Sequence, residues 1–100
     1  MIRHVAVFRF VPTFTAEQRE QWMSLLRALP GQIPELRSMS VGADVLGGQS
    51  SHELAIVADF DDLEGLDAYT RHPAHAEVLR ISGPVKSSLA TVDFELPDAS

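Results

Sequence analysis

The sequence predicts an α+β domain in which helices cover one face of a four-stranded antiparallel sheet. Three observations carry the prediction. Apolar and polar residues alternate with period two over 2–10 and 52–60. Apolar residues recur at helical spacing on Trp22, Leu25, Leu26 and Leu29, and again on either side of Pro73. The resulting element order is β-α-β-β-α-α-β. With the short extra helix set aside, that order is the split βαβ, ferredoxin-like pattern.

The first strand spans Ile2 to Phe10. Ile2, His4, Ala6, Phe8 and Phe10 point one way, and Arg3, Val5, Val7 and Arg9 the other. Pro12 ends it. Thr15 and Gln18 have the spacing of a capping box, so a helix starts there. Met23 flanks its apolar stripe, and Pro30-Gly31 stops it. Leu36 to Leu46 reads as a weaker strand, with Gly42 marking a bulge or a close backbone approach. Gly47 to Ser51 forms a loop, and His52 to Phe60 a clear strand.

Asp61-Asp62-Leu63-Glu64 opens the second helix, acidic where the helix dipole favours it. Leu63, Leu66, Tyr69 and Thr70 share a face. Pro73 disfavours the α conformation at His72, so the chain breaks there. A third helix, Ala74 to Ser82, aligns His75, Val78, Leu79 and Ser82. Gly83-Pro84 ends it, and Leu89 to Leu96 is the last strand. One domain over 1–96 and a frayed tail over 97–100 account for the 100 residues.

Composition narrows the function. Fourteen acidic residues against eight basic ones give a formal charge of −6, which a phosphate backbone would repel. The seven arginines are scattered and Lys86 is the only lysine, so no basic patch offsets that charge. Nucleic acid is therefore not an expected partner. Without cysteine there is no disulfide, thiolate metal site or cysteine nucleophile. No apolar run nears the ~20 residues of a membrane span. The expectation is a cytoplasmic protein that does not touch membrane.

Helices cover only one face of such a sheet, and the other face should be polar. Here Val5 and Val7, then Ala55 and Val57, make the opposite faces of strands one and three apolar as well. The last strand has Ala90, Val92, Phe94 and Leu96 on one side and Leu89 on the other. An apolar sheet face of that size needs a cover. A homodimer with sheets packed face to face is expected.

The residues able to carry chemistry are His4, Tyr69, His72 and His75, with Asp59 and Asp93 as candidate orienters. Histidine titrates near neutrality and is the commonest general base. Tyr69 and His72 lie at one helix end. His75 lies on the inward face of the next helix, where burial keeps an imidazole neutral. His4 lies mid-strand beside Ala6 and Phe8, so His4 and His75 can meet in one apolar pocket. Each has a plainer reading: His72 as a cap, His75 as a core donor to a carbonyl, Tyr69 as packing, and His52 as a solvated residue. A metal held by His4, His72 and His75 is conceivable, but two of the three share the turn-breaking Pro73. No metal or organic cofactor is expected.

His4-Val5-Ala6-Val7-Phe8-Arg9-Phe10, Val41-Gly42, and Tyr69-Thr70-Arg71-His72-Pro73-Ala74-His75 followed by Val92-Asp93-Phe94 resemble the stress-responsive A/B barrel (Dabb) domain family. The resemblance covers about residues 2–95. It implies ferredoxin-like monomers paired as a dimeric α+β barrel. Some plant members are polyketide cyclases that close a ring by aldol chemistry without metal or organic cofactor. By that resemblance His75 matches the general base, His4 an assisting histidine, and Tyr69 a residue that holds substrate.

Three functions follow as expectations. The first is a cofactor-independent cyclase, lyase or isomerase acting on a small, largely apolar carbonyl compound. The second is a non-catalytic dimer that binds a ligand or a protein. The third is a cofactor-free monooxygenase-like role, which related dimeric α+β barrels perform.

Overall fold

Local chemistry sets most element boundaries. The computed structural model describes residues 1–97. β1 (Ile2–Phe10) is followed by α1 (Ala16–Arg27), a 3₁₀ turn (Leu29–Gly31), β2 (Leu36–Ala43) and β3 (Leu54–Phe60). α2 (Leu63–Arg71), α3 (Pro73–Ser82) and β4 (Lys86–Glu95) complete the chain. The sheet order is β2-β3-β1-β4, with every neighbouring pair antiparallel. This is the expected ferredoxin-like α+β fold. Residues 98–100 of the expected tail lie outside the described residues.

Thr15 caps α1 as its spacing predicts. Its hydroxyl accepts from the Gln18 N–H, and the Gln18 side chain accepts from the Thr15 N–H. Asp62 caps α2 by accepting from the Gly65 N–H at 2.8 Å. Five expectations shift. Met23, not Leu25, joins Trp22 and Leu26 in the core, and Leu63 stands 66% exposed beside the sheet. Gly42 makes neither a bulge nor a close approach; the irregularities fall at Leu36/Ser38 and Arg9/Phe10. β2 ends at Ala43, short of Leu46, where the Asp44 carboxylate accepts from the Gly47 N–H in an exposed turn. β4 begins three residues before Leu89, at Lys86, because its pairing with β1 runs on past the bulge.

The core lies between the sheet and the helices, and aromatic rings dominate one end of it. Trp22 meets Phe8 and Phe10 edge-on, with ring centroids 5.4 and 5.6 Å apart. Its indole N–H donates to the Val78 carbonyl at 3.0 Å, and the Ser82 hydroxyl donates to the same oxygen. The Trp22 bond ties α3 to α1 and fixes where α3 can present His75. Trp22→Ala removes the ring and the tie together. The expected cost is about 3–5 kcal/mol in urea unfolding. An unchanged urea midpoint would contradict this view of the core.

The other face of the sheet carries no helix. Val5 sits between Val57 and Val92, and Val7 between Ala55 and Ala90, in one apolar row across three strands. Val92 and Phe94 are exposed there. At one end the row meets a polar knot. Arg3 grips Asp59 with two bonds of 2.8 and 2.9 Å, and the Ser38 hydroxyl donates to the same carboxylate. The Arg3 guanidinium holds the Asp59 carboxyl below its ordinary range. No helix among the described residues is long and apolar enough to cross a membrane.

Candidate functional site

Strand alternation places His4 on the covered face of β1, and antiparallel pairing sets Asp93 of β4 directly opposite. The His4 Nδ1 lies 2.5 Å from the Asp93 Oδ1. A carboxylate accepts, so the His4 Nδ1–H donates, and the ring orientation is set. Of the two candidate orienters, Asp93 therefore meets a histidine. Asp59 does not: it projects to the uncovered face and is committed to Arg3 and Ser38.

The break at Pro73 builds the other half. His72 is extended, closing α2 and capping α3, and its Nδ1 accepts from the Ala74 N–H at 3.0 Å. That is the plain capping role, and it leaves this nitrogen unavailable for a metal. Among the described residues no three metal-binding side chains gather. The sharp turn brings His75 back against the end of α2. The Tyr69 and His75 ring centroids are 4.3 Å apart, and Tyr69 and His4 are 6.4 Å apart. Tyr69 thus stands between the two histidines. The His75 Nδ1 is 3.2 Å from the Thr70 carbonyl. That oxygen can only accept, so Nδ1 carries the hydrogen, and in the neutral ring Nε2 keeps its lone pair.

His4, Tyr69 and His75 share the wall of one cavity of about 190 Å³ between the sheet and α3. Phe8, Trp22, Leu26, Ile56 and Val78 make its floor apolar. Burial lowers the His75 pKa below 6.5; the Thr70 carbonyl raises it in part, and a charge on His4 lowers it further. Burial pushes the Tyr69 hydroxyl up to about 12, so it remains a proton donor at every physiological pH. The arrangement combines a neutral base, a fixed donor and a second histidine held by a carboxylate, all beside apolar walls. Such groups can take a proton from carbon and stabilise the oxygen that receives the charge.

A wider groove of about 590 Å³ lies on the uncovered sheet face, over Val7, Ala55 and Val57. Only His52 and Asp44 bring titratable groups to it. It is an open trough in the surface rather than a chemical site.

The profile of the stress-responsive A/B barrel domain matches residues 2–96. The chain belongs to the Dabb family. A relative in Streptomyces coelicolor, an uncharacterised protein, is 30% identical over 77 residues, which cover 75% of this chain and 79% of that one. A dimeric ferredoxin-like protein of unknown function from Thermobifida fusca is 40% identical, with a TM-score of 0.87 over 95% of this chain and 90% of that one. The hydroxynitrile lyase of Passiflora edulis shares the Dabb chain's fold at 14% identity, with a TM-score of 0.83 over 99% and 95% of the two chains.

Two residues of the cavity wall escaped the sequence reading. Thr91 and Lys86 both come from β4. Strand alternation from Leu89 would have placed Thr91, which pairs with Ala6. Lys86 precedes the expected strand start, and only its pairing with Phe10 across the bulge brings it to the wall.

Proposed function

We propose that this Dabb protein is a cytoplasmic homodimer, paired through its uncovered sheet faces. It acts on a small, largely apolar carbonyl compound by cofactor-independent proton transfer of the lyase, cyclase or isomerase kind. The observation that carries the reading is Tyr69 standing between His4 and His75 on one cavity wall. His75 Nε2 takes a proton from the carbon beside the carbonyl. The electron pair of that C–H bond forms the carbon–carbon double bond of the enolate, and the π pair of the carbonyl moves to its oxygen. The Tyr69 hydroxyl donates to that oxygen, and His4, its ring held by Asp93 accepting from Nδ1, assists from the same wall. The apolar walls keep water from competing. The dimer draws support from the apolar row on the open face and from the dimeric Thermobifida fusca relative.

The experiment is deuterium uptake in D2O, followed by NMR, on a panel of methyl ketones and aldehydes. Wild-type protein is expected to speed uptake beside the carbonyl for at least one compound. Rates equal to buffer across the panel would count against catalysis. A second reading, a non-catalytic ligand-binding dimer, is favoured by the cavity's size: about 190 Å³ falls below the ~300 Å³ at which ligand pockets commonly begin. In that case His4→Ala and His75→Ala shift thermal stability and leave ligand affinity nearly unchanged.

A further inference from the structure

The cavity has two unlike ends. His4, Tyr69 and His75 occupy one of them. Lys86 stands towards the other, where β4 begins. Pairing sets Asp93 opposite His4 and Lys86 opposite Phe10. Six residues of β1 separate those positions, roughly 20 Å along the strand less the reach of the lysine stem. Between them the wall carries Ala6 and Thr91, then Phe8 and Leu89, each pair facing across the two strands, so that it is mostly apolar.

Lys86 is the only permanently charged side chain on this wall. It is half-buried, and none of the ion pairs among the described residues includes it. It is also the only lysine of the chain, in a protein with a formal charge of −6. Six of the seven arginines, by contrast, hydrogen-bond a carboxylate or a carbonyl oxygen or pair with a carboxylate. An ammonium left without a carboxylate at the end of an apolar channel is complementary to an anion brought in by the ligand.

We propose that Lys86 selects a substrate with an anionic group, a carboxylate, at the end remote from the reacting carbonyl, so that the substrate class is a short-chain oxo acid. This rests on the carbonyl reading of the site given above. The carboxylate seats on the Lys86 ammonium, the methylene chain lies along Phe8 and Leu89, and the carbonyl reaches Tyr69 and the histidines. The space available, about 190 Å³, equals that of roughly six waters at ~30 Å³ each, which suits a chain of modest length. Lys86 is a specificity residue in this scheme and takes no part in proton transfer.

The test compares 7-oxooctanoate with 2-octanone, which has the same methyl ketone and no carboxylate. Binding is followed by NMR through the imidazole signals of His4 and His75, and catalysis by deuterium uptake beside the ketone. Wild-type protein is expected to bind the oxo acid about tenfold to a hundredfold more tightly, the range of one charge-assisted hydrogen bond. Added salt should narrow the gap, because the lysine is partly solvated. Lys86→Met should erase the preference of the oxo acid over 2-octanone, while Lys86→Arg should retain it. Equal binding of the two ligands, with the histidine signals moving for both, overturns the role of Lys86 and leaves the carbonyl site standing. A preference that survives in Lys86→Met also overturns it. Histidine signals that move for neither ligand overturn both readings.

Discussion

Replacing His75 with alanine is expected to lower deuterium uptake beside a substrate carbonyl by at least about a hundredfold, the usual contribution of a positioned general base. The substitution removes a ring whose tautomer is set by a backbone carbonyl, and the Thr70 oxygen then turns to water. Folding should survive, because His75 is half-buried and Trp22 continues to tie α3 to α1 through the Val78 carbonyl. Tyr69→Phe keeps the ring and removes the donor, so a smaller loss is expected there. Circular dichroism separates chemistry from unfolding: a variant with wild-type spectrum and wild-type rate would remove His75 from the mechanism.

The same residue sets a pH dependence. The folded-state pKa of His75 lies below 6.5 because burial disfavours its charge. His75 is therefore mostly neutral at pH 7, and a rate that uses it as a base rises with pH through a midpoint below 6.5. Stability follows in the same sense. Between its folded value and 6.5 the unfolded chain binds a proton that the folded chain does not. The His75 contribution is thus complete above 6.5 and declines as the pH falls through that window. A rate profile whose rising limb is centred above 6.5 would contradict a neutral His75.

The second large effect is expected at the uncovered face. Val92 is 61% exposed in the single chain, so the monomer fold does not need it. Its neighbour across the ladder is Val5, at the centre of the apolar row. In a face-to-face dimer Val92→Asp buries one unpaired carboxylate per copy, and each costs several kcal/mol to desolvate. Aspartate is too short to reach water around the rim as lysine can. Sedimentation equilibrium at micromolar concentration should give twice 11.0 kDa for the wild type and 11.0 kDa for the variant, with the circular dichroism unchanged. A wild-type protein that sediments as a monomer, or a variant that remains dimeric, would place the interface elsewhere.

Most of the fold was legible in the sequence because its signals are local. The alternation of Ile2–Phe10, the Thr15–Gln18 capping box and the Pro73 break each act within a few residues. Interior and surface were harder to separate on the helices. Leu25 and Met23 are equally apolar by type, and only the packing of Trp22 against Phe8 and Phe10 rotates α1 so that Met23 turns inward. The site was legible as a set of residue types and not as a set of partners. His4, Tyr69 and His75 do converge. The choice of Asp93 over Asp59 depends on the parity of a register that pairs residues 89 apart in sequence, and the arrival of Lys86 depends on the same pairing carried past a bulge. Such information belongs to the assembled sheet and to no single segment.

The account turns on His75 as a neutral imidazole with its hydrogen on Nδ1. Imidazole ¹⁵N NMR of the histidine-labelled protein measures this directly, with His75→Ala supplying the assignment. At pH 7 the His75 signals should show a protonated Nδ1, held by the Thr70 carbonyl, and a mostly unprotonated Nε2 that titrates with a midpoint below pH 6.5. A His75 ring that is charged at pH 7, or neutral with its hydrogen on Nε2, would contradict the account.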